Sequence, residues 1–95
     1  MCTYSIESAP MSGCGKGPEG WFPLSLATVA FDHPSHAQVD HAMLIDFMNP
    51  DRGMSSRVAV ELTRESAREL VKAIQAALES TMDLEEPVAP AMAAS

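Results

Sequence analysis

The chain has 95 residues, a formal net charge of −7 and 46% hydrophobic residues, which fits one small globular domain. Its six basic residues do not form the Lys and Arg cluster that phosphate binding needs, so we expect no nucleic-acid partner. No apolar run could span a bilayer and no secretory signal opens the chain. We therefore expect a cytoplasmic protein with no membrane contact and with reduced cysteines.

The chain is predicted to form four β-strands before its one helix. Strict alternation of residue types predicts a strand over Cys2–Glu7. Pro10–Gly20 holds four of the five glycines and is predicted to be a loop, because Gly and Pro disfavour both helix and strand. The remaining strands are predicted at Phe22–Phe31, His41–Met48 and Arg57–Leu62.

One helix is predicted after the strands. Thr63 is the expected N-cap, and Glu65 in the first turn suits the helix dipole. Apolar residues then recur at helical spacing, at Ala67, Leu70, Val71, Ile74, Ala77 and Leu78. From Asp83 the composition changes to Glu, Pro, Ala and Ser. We expect residues 1–82 to form a single α+β domain and residues 83–95 to form a disordered acidic, Pro- and Ala-containing tail.

The predicted fold is α+β, a four-stranded antiparallel sheet with one C-terminal helix packed on one face. The second and third strands are apolar on both faces, yet one helix covers only one of them. The second face is therefore predicted to lie in an oligomer interface, most simply that of a homodimer. The alternative is that the Gly-rich segment folds over that face.

All three histidines fall within nine residues, in and beside one hairpin turn. Imidazole is the commonest metal ligand near neutral pH, so His33, His36 and His41 predict a site for zinc or another transition metal. Cys2, Asp32 or Asp40 would complete the set of ligands. The alternative is that the turn histidines are solvated and His41 belongs to the core.

A second candidate site is a ligand pocket that includes Trp21, Phe22 and Asp46. Aromatic residues where a loop meets a strand can line a pocket, although they often plug the end of a small core. Asp46 interrupts an apolar face, which favours a paired or functional carboxylate. Ser12–Gly17 lacks the Ser or Thr that follows the lysine of a phosphate loop, so no nucleotide cofactor is expected.

Several stretches of the chain resemble a family of small, mainly actinobacterial proteins that is named only as a domain of unknown function. The stretches are Met1–Thr3, Lys16–Phe22, Asp32–His41, Ile45–Pro50 and Val58–Thr63. The resemblance covers nearly the whole chain up to the tail and implies a free-standing single-domain protein. It implies no activity.

Two functions follow from these observations. The first is a small metal-binding protein, and in one form a metal-dependent enzyme, that uses the His-rich turn. The second is a non-catalytic homo-oligomeric module that binds a small molecule or a protein at its apolar sheet face.

Overall fold

The computed structural model describes residues 6–82 and residue 84. Its sheet is antiparallel with strands in the order β1-β2-β3-β4, and the one α-helix follows the last strand, so the predicted α+β fold is confirmed. Cys2 and, apart from Leu84, the predicted tail lie outside the described residues. The elements are β1 (Ile6–Gly17), β2 (Gly20–Asp32), β3 (Ala42–Met48), a 3-10 turn (Pro50–Arg52), β4 (Arg57–Leu62) and α1 (Arg64–Ser80).

The predicted loop over Pro10–Gly20 is wrong, because most of this segment is the second half of β1. It pairs with β2 as far as Gly17 and Gly20, and only the two residues between them form the turn. β1 is an edge strand and carries a bulge between Pro10 and Gly13, so a proline is tolerated there. The same segment therefore cannot fold over a face of the sheet as a loop.

The glycines of β1 make room for side chains of β2. A Cβ on Gly15 would lie 3.1 Å from Leu24 Cδ2, and a Cβ on Gly17 would lie 3.0 Å from Phe22 Cε1. Phe22 is buried beside these two glycines, Gly15 and Gly17, which we call the glycine strip. Glycine is needed at these positions because the side chains of β2 pack closely against β1. Local propensity alone interprets the same glycines as a loop signal.

Strands β2 to β4 give the sheet two chemically different faces. Val29, Ile45 and Val60 form one cross-strand row on the face nearer the helix, which we call the helix-side face. On the opposite face, called the far face, Asp46 lies between Thr28 and Ala59. The far face is therefore polar at its centre, and the helix-side face is apolar.

Helix α1 begins at its predicted cap. The Thr63 hydroxyl accepts a hydrogen bond from the Ser66 backbone N–H at 3.0 Å. The helix then runs beside the sheet, but its packing is loose: among the described residues, the buried hydrophobic ones are only Phe22, Ala27 and Ala42. No large side chain in that part of the chain is fully buried. The single chain therefore has a thin core.

Candidate functional site

An apolar groove separates helix α1 from the helix-side face of the sheet. We call it the helix groove, and it encloses about 340 Å³. Its lining includes Val29, Met43, Ile45 and Phe47 from the sheet and Ala67, Leu70, Val71 and Ile74 from the helix. The predicted apolar stripe of the helix thus faces the sheet, as the periodicity requires, but leaves a gap between the two.

The helix stripe remains accessible to solvent in the single chain. Leu70 is 43% exposed, Val71 53%, Ile74 50% and Leu78 65%. Isolated exposed apolar residues are common, but these four lie along one face of one helix. A contiguous apolar surface of this kind is typical of an interaction site.

Charged side chains border this stripe. Arg64, Arg68 and Lys72 line a surface depression of about 470 Å³ together with Met43 and Val71. We call these three the basic rim. They are half of the six basic residues in a chain that carries 13 acidic ones. Half of the basic side chains of this acidic protein therefore lie beside its apolar helix stripe, where Lys72 pairs with Glu69 at 3.0 Å.

The described histidines include one close pair. The ring centroids of His33 and His41 lie 4.5 Å apart, and His41 stacks in turn on Phe31 at 5.5 Å. The Arg64 guanidinium lies 4.5 Å from the centroid of the Phe31 ring, which is a cation–π distance. The Asp40 carbonyl accepts a hydrogen bond from His33 Nδ1 at 2.8 Å.

Glu61 organises the loop between β2 and β3, residues 33–41, which we call the His-rich loop. The sequence does not predict this role of Glu61. Its carboxylate accepts hydrogen bonds from the backbone N–H groups of Ser35, His36 and Ala37, each at 2.8 Å. These bonds, with that from Ser35 first, hold the pKa of Glu61 below its usual range because they stabilise the charged form. No sequence motif could reveal it, since the donors are backbone groups at least 24 positions away.

The predicted metal ligands are brought together only in part. His33 and His41 meet, but His36 lines a separate shallow cavity of about 520 Å³ with Ala37, Ala59 and Glu61. The Asp32 carboxylate accepts a hydrogen bond from the His33 backbone N–H at 2.7 Å. Among residues 6–82 and 84, no three His, Cys, Asp or Glu side chains converge as a metal site would require.

The three residues of the predicted ligand pocket lie in two places. Trp21 is 70% exposed and Phe22 is 5% exposed, and both border a cavity of only about 80 Å³. Asp46 lies on the far face and accepts hydrogen bonds from Arg57, with Nη2 2.7 Å from Oδ1. The ion pair lines a different cavity, of about 500 Å³, with Met48 and Met54. Asp46 is therefore a paired carboxylate.

The fold and its groove define a small α+β domain with an accessible apolar helix stripe. The chain belongs to a family of unknown function, DUF6295, which matches residues 1–87. Comparison with curated proteins gives no match, nor does comparison with solved structures. No helix in the described part of the chain is long and apolar enough to cross a membrane.

Proposed function

We propose that this protein is a non-catalytic binding module whose site is the helix groove. The observation that carries the proposal is the half-exposed stripe of Leu70, Val71 and Ile74, which faces an apolar sheet across a gap. Leaving such side chains in water forgoes about 25 cal/mol for each Å² of apolar surface. An apolar occupant recovers that free energy when it fills the groove.

The composition of the site favours a protein segment or another apolar ligand over a charged one. The groove is lined mostly by aliphatic and aromatic side chains, and the charged groups lie at its border. An apolar centre with a polar rim is the usual anatomy of a protein-binding surface. A cytoplasmic location agrees with this proposal and stays a prediction.

Binding at the groove can be tested with the fluorescent apolar dye bis-ANS and analytical ultracentrifugation. Ile74→Asp places a carboxylate in the stripe, whereas Ala76→Asp places the same charge on the exposed opposite side of α1. We expect the dilute wild-type chain either to bind the dye saturably or to form oligomers. Ala76→Asp should show the same dye binding and the same oligomeric state as the wild type. Ile74→Asp should weaken either process by roughly 100-fold.

The proposal fails on either of two results. One is a folded wild-type chain that neither binds the dye nor assembles at any concentration. The other is equal binding or equal assembly by wild type and Ile74→Asp. Far-ultraviolet circular dichroism of both variants separates loss of binding from loss of fold.

We propose zinc or another transition metal at His33 and His41 as a second candidate function. The proximity of the two rings favours it, and so does the hydrogen bond from His33 Nδ1 to the Asp40 carbonyl. Histidine ligands commonly donate their other ring N–H to a carbonyl in this way, which would make Nε2 of His33 the ligand atom. Cys2 would be a further ligand.

The metal proposal is tested by calorimetric titration of zinc into the full chain. We expect His33→Ala and His41→Ala each to lower the affinity at least about 10-fold. His36→Ala is the matched control within the loop, because that ring lies outside the stacked pair. A wild type that takes up no zinc, copper, nickel or iron would refute the proposal.

A further inference from the structure

We infer that the occupant of the helix groove is the apolar stripe of helix α1 from a second copy of this chain, with the two helices packed antiparallel across a two-fold axis. The inference rests on the proposed function, because it names the partner of the same site. Each copy would place its own stripe in the space between its partner's helix and sheet. Each binding site would then be completed by side chains of the other subunit.

Self-complementarity is the first reason for choosing a second copy. One face of this molecule carries an apolar groove whose helix wall, at Leu70 and Ile74, stays half-exposed and forms an apolar ridge. A two-fold axis places the ridge of each copy against the groove of the other, so the same contact forms twice. An unrelated partner would have to supply a matching ridge and groove of its own.

The charges along α1 give the direction of packing. Arg64 and Arg68 lie near the amino end of the helix, where the helix dipole is positive. The last turn contains Glu79 and no basic residue, although that end of the helix carries negative partial charge. Within one helix Arg64, Arg68 and Glu79 are therefore placed unfavourably, whereas Glu65 in the first turn is placed favourably.

An antiparallel second copy brings the basic residues of each helix close to the negative helix end of its partner. The helix of 17 residues is about 25 Å long, so a two-fold axis near its middle places Arg64 of one copy beside Ser80 of the other. The basic rim then faces the partner's negative helix end, and Asp83, Glu85 and Glu86 follow that end in the sequence. A parallel arrangement would bring like charges together.

The thin core agrees with an obligate partner. Among described residues, only Phe22, Ala27 and Ala42 are buried hydrophobic side chains in the single chain. A domain of this size is only marginally stable. Association therefore increases the free energy of unfolding of a chain that has so few buried side chains of its own. A second copy is present wherever the chain itself is made.

The inference is tested by sedimentation equilibrium of the full chain, with bis-ANS binding measured on the same samples. We expect twice the chain mass of 10.2 kDa for the wild type and for Ala76→Asp, and the mass of a single chain for Ile74→Asp. A monomeric wild type that binds the dye would overturn the second copy as the occupant but keep the binding module. A monomer that binds no dye would overturn both.

A cysteine variant keeps the test independent of the charged substitution. In a background of Cys2→Ser and Cys14→Ser, Ile74→Cys stays apolar and lies close to the expected axis. We expect a short bis-maleimide to cross-link Ile74→Cys into a dimer at least about 10-fold faster than Ala76→Cys, whose side chain lies on the outer side of the helix. Equal rates, or no cross-link in a sample that sediments as a dimer, would contradict the proposed packing.

Discussion

Glu61 Oε1 accepts a hydrogen bond from the backbone N–H of Ala37 at 2.8 Å, although 24 positions separate the two residues. The contact ties the His-rich loop to β4 of the sheet. One carboxylate thus shapes the region that the sequence marks as a candidate metal site.

Replacing Glu61 should make the loop less stable and change its response to acid. The folded state holds the pKa of Glu61 below its ordinary value of 4.5, so its contribution to stability is present above that pH. The contribution is lost as the pH falls from there through the lowered folded pKa. We expect Glu61→Gln to lower Tm at pH 7 and to reduce the difference in Tm between pH 7 and pH 3.

Thermal unfolding followed by circular dichroism measures both effects. Glu19→Gln is the control, because Glu19 is exposed in the turn between β1 and β2 and lies outside the loop that Glu61 holds. An acid sensitivity of Glu61→Gln equal to that of wild type would show that the hydrogen bonds to the loop do not stabilise the fold.

Gly17 should not tolerate a side chain. A Cβ there would lie 3.0 Å from Phe22 Cε1 and 3.3 Å from the Ser55 carbonyl oxygen, and Phe22 is buried. We expect Gly17→Ala to lower the free energy of unfolding by about 1–3 kcal/mol, as overpacking does. Urea denaturation measures it, and Lys16→Ala at the neighbouring exposed position should change stability by less than about 0.5 kcal/mol. Equal effects of the two variants would refute this account of the glycine strip.

Thr63 should contribute to stability as a helix cap. Its hydroxyl satisfies the Ser66 N–H, so Thr63→Ala should cost about 1 kcal/mol in the free energy of unfolding. Thr63→Ser keeps the hydroxyl and should restore most of the loss. A Thr63→Ser variant as unstable as Thr63→Ala in urea denaturation would mean that the methyl group, and not the hydroxyl, matters.

The basic rim should make dimer formation sensitive to salt. We expect Arg68→Glu to raise the dissociation constant by roughly 10-fold at low ionic strength, with the difference shrinking at high salt. Arg52→Glu makes the same charge change in the exposed 3-10 turn, away from α1, and is the matched control. Sedimentation equilibrium across a sodium chloride series measures both. Identical behaviour of the two variants would exclude charge pairing at the rim.

The elements that could be predicted are those in which local pattern and tertiary packing agree. Strand β4 has its predicted bounds, and α1 begins after its predicted cap, because each has one continuous apolar side. The part of β1 from Pro10 onwards was missed because Pro10 and the glycines favour a loop locally, whereas pairing with β2 and the bulk of Phe22 favour a strand. Edge position and close packing are not visible in local propensity.

The candidate sites also include one feature that local sequence predicts and others that depend on tertiary structure. The approach of His33 to His41 follows from their places on either side of one loop, so sequence reasoning could anticipate it. The hydrogen bonds of Glu61 and the gap between α1 and the sheet depend on distant backbone groups and on helix placement. The homodimer stays a prediction, and we propose the helix-side face, which is apolar, as its interface instead of the far face.

The central claim is tested most directly by isotope-filtered NOE spectroscopy on a mixture of labelled and unlabelled full-length chains. The proposed packing predicts NOEs between chains from the methyl groups of Leu70 and Ile74 to the helix-side face of the other copy, including Phe47. NOEs between chains that arise only from far-face residues such as Leu44 and Met48, or none at all at high concentration, would contradict it.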